Sequence, residues 1–97
     1  MADGLNEPLR PDAAKQLIRK ILQAGRFTYS KHAKEEMLED DLTTVDCENI
    51  LRAGVVRPPD FEKGSWRYRV ETSRMAVVIT FRSVKELVVV TAWREKS

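Results

Sequence analysis

His32 is the only imidazole in the 97-residue chain, and it stands four positions before Glu36 in a segment with helical spacing. Near a helix N-terminus the backbone dipole favours the neutral ring, a proton acceptor; a carboxylate one turn on favours the protonated ring, a proton donor. The second half of the chain supplies cations of one kind. Seven of its ten Lys/Arg residues are arginines: Arg52, Arg57, Arg67, Arg69, Arg74, Arg82 and Arg94. The planar guanidinium suits phosphate, carboxylate and base edges. An imidazole to move protons and guanidinium groups to neutralise a phosphorane are the parts that metal-independent RNA cleavage requires. The same residues admit a plainer reading, in which His32 is a buried structural residue beneath a sheet and the arginines dot a solvated face.

Other chemistries have weaker claims. Cys47 is the sole cysteine, which excludes an internal disulfide and a cysteine zinc site. Its neighbours Asp46 and Glu48 disfavour a thiolate, so it is expected to be inert. The acidic run Glu35-Glu36-Glu39-Asp40-Asp41 reads as a solvated helical face in preference to a divalent-cation site, and no metal or cofactor is expected. Trp66 and Trp93 have rings that stack on bases, but their strand positions point to core or edge packing. Nucleotide-binding glycine loops and the His-Glu-x-x-His pattern are missing.

At 42% hydrophobic and 33% charged residues, the chain has enough apolar side chains for one core. Net charge shifts along it, from −3 over residues 1–50 (seven Lys/Arg, ten Asp/Glu) to +5 over residues 51–97 (ten against five). A basic C-terminal half points to an anionic partner. No apolar run approaches a membrane span, and the opening residues carry acids where a signal peptide carries cations, so a cytoplasmic protein without membrane contact is expected.

The elements that must position these groups are expected as follows. Residues 1–10 form a flexible leader, and residues 11–97 a single domain. Leu17, Ile18, Ile21 and Leu22 make one stripe of a helix over 12–24 that opens at Pro11 and ends at Gly25. Phe27-Thr28-Tyr29 is a short strand or extended connector. Ser30 caps a helix over 31–40 that buries Ala33 and Met37. Thr43 or Thr44 caps a third over 44–53, with Val45, Ile50 and Leu51 turned inward and Gly54 as its end. Pro58-Pro59 forbids a central strand. From Trp66 the period becomes two, giving strands over 66–71, 75–82 and 87–94. The fold class is therefore α+β, with N-terminal helices packed on one face of a small antiparallel sheet.

Alternation also assigns the faces. Met75, Val77, Ile79 and Phe81 should meet the helices, leaving Ala76, Val78, Thr80 and Arg82 outside. Val88, Val90, Ala92 and Arg94 should share that open face with Arg67 and Arg69. Four arginines, Arg67, Arg69, Arg82 and Arg94, would then ring a shallow apolar floor. A register slip of one residue would invert the assignment.

Ser30-Lys31-His32-Ala33-Lys34-Glu35-Glu36-Met37, then Leu42-Thr43-Thr44-Val45-Asp46, and later Trp66-Arg67-Tyr68 and Val88-Val89-Val90-Thr91-Ala92, carry a family resemblance. Over residues 27–94 the chain resembles a small bacterial domain family with the pattern His-Ala-x-x-Arg-Met, allied to the RelE, MqsR and BrnT toxins of toxin–antitoxin pairs. That resemblance implies a RelE-like ribonuclease-type fold and a toxin-like endoribonuclease acting on RNA, including ribosome-bound mRNA, under an antitoxin protein. It also implies an arginine and tyrosine site, here Arg67, Arg69, Arg94 and Tyr68, with His32 assisting and Arg82 and Arg94 holding RNA. The chain departs from the pattern at Glu36, where arginine is usual, and at Asp40-Asp41, where Arg-Gly is usual. An acidic helix beside His32 repels a phosphodiester, which weighs against cleavage more than against the fold. The alternative is a non-catalytic relative that binds protein or RNA.

Overall fold

The computed structural model describes residues 4–95. Its elements are α1 (Pro11–Ala24), β1 (Arg26–Tyr29), α2 (Lys31–Glu39), α3 (Thr44–Ala53), β2 (Val55–Val56), β3 (Asp60–Glu62), β4 (Ser65–Glu71), β5 (Met75–Ser83) and β6 (Glu86–Arg94). Pro11 starts α1 at a position where a missing N–H costs nothing. The Ser30 hydroxyl accepts from the Ala33 N–H at the head of α2. Thr43 and Asp46 exchange hydrogen bonds in a capping box at the head of α3. Three helices and a six-stranded sheet of order β1-β6-β5-β4-β2, with β3 also paired to β4, make an α+β fold.

The sheet is mixed, which corrects the antiparallel expectation. β4, β5 and β6 form the expected meander, but β1 runs parallel to β6, from Arg26 beside Glu86 to Tyr29 beside Val89. This pairing joins residues 60 apart, so no hairpin link announces it. It begins at Gly25, where a Cβ would lie 2.4 Å from the Lys85 carbonyl oxygen. The next residue, Arg26, donates its N–H to that same carbonyl. On the opposite margin, β2 and β3 flank Pro58-Pro59 and pair with the two ends of β4. Prolines are tolerated there because an edge strand need not donate on its outer side. Lys63 and Gly64, both left-handed, close the β3–β4 hairpin.

The core lies between the helices and one sheet face. Ile18, Ile21, Ile50 and Leu51 meet Val70, Val77, Ile79, Phe81, Leu87 and Val89, all buried. Two expectations are corrected here. Val45 points to solvent at 62% exposure, and Cys47 takes the inward place beside Ile50 and Leu51. The flexible leader is an anchored strap over its described part, residues 4–10: Leu5 and Leu9 pack on the core, and Glu7 and Leu9 both bond the Tyr68 hydroxyl at 2.9 Å. Residues 1–3 lie outside the described residues.

Candidate functional site

One irregularity decides what the open face carries. Val78 pairs with Thr91, but the next residue, Ile79, pairs with Val89, so Val90 is an extra residue in β6. A bulge of this kind reverses the alternation beyond it. Ala92 consequently faces the core opposite Val77, Trp93 comes to the open face opposite Ala76, and Arg94 pairs with Met75 on the helix side. Arg94 is thus corrected out of the open-face set. Its guanidinium donates to the carbonyls of Asp40 and Asp41, closing the C-terminal end of α2.

The arginines that stay on the open face form a cleft of about 510 Å³ with an arginine that the sequence reading left outside the candidate set. Arg67 and Arg69 project from β4, and Arg57 follows β2, held against the sheet as its N–H donates to the Arg69 carbonyl. Val78 and Trp93 line the floor, with Asp60, Glu62 and Glu71 as the acidic members. Glu71 bridges two of the arginines, with Oε2 3.1 Å from Arg57 and Oε1 3.6 Å from Arg69. The Arg69 guanidinium also lies 4.8 Å over the Trp93 ring, a cation–π contact worth about 0.5–1 kcal/mol at an exposed site. Trp93, whose strand position points to packing ahead of base stacking, is half-buried in this cleft. Arg67 differs from both neighbours: its Nε is buried and has no hydrogen-bond partner among the described residues. An unmet buried donor costs on the order of 1–3 kcal/mol.

Arg82 is exposed near the other end of β5, at the second register shift, and does not line the cleft. Tyr68 is a further correction. Although it stands between Arg67 and Arg69, it faces the opposite side of β4, is fully buried against Phe81 and gives its hydroxyl to the strap. Burial first, and then the Glu7 carboxylate, pushes its hydroxyl up to about 12. It is a core residue, out of reach of a ligand on the open face.

His32 is exposed on α2, which corrects the buried-histidine reading, with Nε2 3.4 Å from Glu36 Oε1. Glu36 in turn accepts from the Thr91 hydroxyl and the Ala92 N–H. Thr91 is the cross-strand partner of Val78, itself the partner of Arg69. A row therefore runs across the open face from Arg69 through Val78 and Thr91 to Glu36 and His32. Strands lie ~4.8 Å apart, so Arg69 and Thr91 backbones are ~10 Å apart. The imidazole stands at the margin of the sheet and does not line the cleft.

The acidic run of α2 is not merely solvated. Beyond Tyr29, where β1 stops, α2 lies along the free edge of β6: Ser30 Oγ donates to the Val90 carbonyl, Glu36 accepts from Ala92 N–H, and Asp40 accepts from Arg94 N–H. Side chains here close an edge that would otherwise offer unpaired backbone groups. Among the described residues no three His, Cys, Asp or Glu side chains gather as a metal-ligand set. Cys47 is buried, and burial with nearby Asp46 and Glu48 pushes its thiol up to about 11, which suits an inert residue. No described helix is long and apolar enough to cross a membrane. Compared with protein-family models, curated proteins and solved structures, the chain shows no match.

Proposed function

We propose that the open sheet face is a binding site for single-stranded RNA, with backbone phosphate held on Arg67 and its arginine neighbours and a base against Trp93. The observation that carries this reading is the cleft that brings Arg57, Arg67, Arg69 and an indole together on the open sheet face. Arginine forks match phosphate oxygens, and an aromatic face accepts any base. A basic groove lined with aromatic rings is the usual construction for binding a single strand with little sequence preference. In this cleft three arginines stand beside Asp60, Glu62 and Glu71, so phosphate is held through guanidinium geometry and not through net charge.

A second reading, cleavage in the manner of the RelE-like toxins, is favoured by the row that leads from Arg69 to the Glu36–His32 pair. Two nucleotides laid across three strands would bring a ribose toward the imidazole. Glu36, fixed by Thr91 and Ala92, lies 3.4 Å from Nε2, and in this reading Nδ1 takes the 2′-hydroxyl proton. An antitoxin protein and ribosome-bound mRNA belong to this reading alone.

Both are tested with one labelled single-stranded RNA and the full chain. Binding predicts that Arg67→Ala weakens affinity by about tenfold or more and lowers the log–log salt slope by ~0.7, the value for one lost contact to a single strand. Unchanged affinity in Arg67→Ala and Arg69→Ala refutes it. Cleavage predicts shortened RNA that is lost, by on the order of 100-fold or more in rate, in His32→Ala. RNA bound but left intact, on and off ribosomes, leaves binding as the function.

A further inference from the structure

Glu71 has no evident reason to sit where it does if the cleft is only an anion receptor, since a carboxylate there neutralises two of its three arginines. Among the described residues neither Asp60 nor Glu62 forms an ion pair with the cleft arginines, so the neutralisation is specific to one side chain. A carboxylate and a phosphodiester each offer two oxygens to guanidinium forks. Glu71 turns one oxygen to each arginine, accepting a hydrogen bond from Arg57 Nη2 at 3.1 Å and lying 3.6 Å from Arg69 Nε as an ion pair. It stops there, leaving Arg67 without an acceptor. Across β5 its partner is Ala76, whose methyl places no bulk against a carboxylate that swings away.

We infer that Glu71 is a resident substitute for the ligand, its carboxylate occupying the place between Arg57 and Arg69 that a phosphodiester takes on binding, so that loading the cleft exchanges one anion for another. This rests on the reading of the cleft as an RNA phosphate site. Such an exchange makes the site selective. A ligand with one weak anionic group cannot outcompete a tethered carboxylate, whereas a polyanion whose phosphate also reaches Arg67 gains an acceptor contact that Glu71 does not supply.

The test measures affinity of the full chain for a single-stranded RNA 12-mer at one salt concentration, for the parent and for Glu71→Asp, Glu71→Gln and Glu62→Gln. Glu71→Gln should tighten binding about 3- to 10-fold, the yield of removing two half-exposed ion pairs that the ligand would have to break. Glu71→Asp keeps the charge but is too short to bridge both arginines, and should tighten it about 2- to 5-fold. Glu62→Gln, which removes the same charge from the cleft rim, should change affinity less than twofold. Equal tightening in Glu71→Gln and Glu62→Gln with none in Glu71→Asp overturns the inference in favour of bulk charge. Weaker binding in both Glu71 variants overturns it too, making Glu71 a residue that positions the arginines. In the parent, the Glu71 carboxyl carbon and the Arg69 Nε–H resonance should shift together as RNA is added; a carboxyl resonance that stays in place refutes exchange even if a variant fails to fold. Where the parent binds and Arg67→Ala does not, failure of these outcomes removes the exchange alone. Where neither the parent nor any Glu71 variant binds RNA, the binding reading falls and the exchange falls with it.

Discussion

Replacing Tyr68 with phenylalanine removes a single oxygen from the centre of the molecule and separates a structural role from a chemical one. The hydroxyl donates to Glu7 and accepts from the Leu9 N–H, each at 2.9 Å, and so fastens the strap to β4. A bond to a charged group contributes about 1.5–3 kcal/mol and a neutral one about 0.5–1.5. Glu7 and Leu9 are only half-buried and take water in the variant, so the expected loss is ~2 kcal/mol. For a domain of this size that lowers Tm by roughly 8–16 °C. Thermal unfolding followed by circular dichroism measures it, and pH adds a second signature. Because the hydroxyl is raised to about 12 by burial and then by Glu7, its contribution is complete below pH 10, the ordinary tyrosine value, and is lost as pH rises from 10 to 12. The phenylalanine variant should lose less stability over that window than the parent. The remaining fall belongs to Tyr29 and Cys47, whose hydroxyl and thiol burial also raises. A Tm change under about 3 °C, or an abolished RNA interaction with stability intact, would refute the assignment of Tyr68 to the core.

Three further outcomes follow from the same geometry. Arg94→Ala should lower stability by about 1–2 kcal/mol, through the lost closure of α2, while RNA affinity changes less than twofold, as thermal melts and anisotropy would show. Gly25→Ala should cost about 1–3 kcal/mol or prevent folding, since its Cβ would strike backbone at Lys85 that cannot move without parting β1 from β6. Tyr29→Phe should be neutral or stabilising by up to about 1 kcal/mol in denaturant melts, because the Tyr29 hydroxyl is buried and has no partner among the described residues.

Local signals proved readable. Pro11, Ser30 and Thr43 marked the helix starts, Gly25 and Gly54 the ends, and period-two runs marked β4, β5 and β6 to within one residue. Val77, Ile79 and Phe81 face the core as their alternation requires. What the chain hides is long-range or irregular. The extra residue at Val90 lies in the uninterrupted apolar run Leu87-Val88-Val89-Val90, so nothing in composition marks the bulge that sends Trp93 outward and Arg94 inward. Parallel pairing of β1 has no turn to betray it, and the strap looks polar because its two apolar anchors, Leu5 and Leu9, are isolated. Arg57 had one available signal: it precedes Pro58-Pro59, which confines its strand to an edge next to β4, where a side chain can lean over the face carrying Arg67 and Arg69.

The most direct test of the central claim is a titration of isotope-labelled protein with short single-stranded RNA, read at side-chain N–H groups. The account predicts that the Arg67 and Arg69 Nε–H and the Trp93 indole N–H shift together and saturably, while the Arg94 Nε–H, engaged with α2, stays in place. Shifts confined to Arg94, to His32 or to the α1 and α3 surface, with the cleft arginines and Trp93 unmoved, would contradict it.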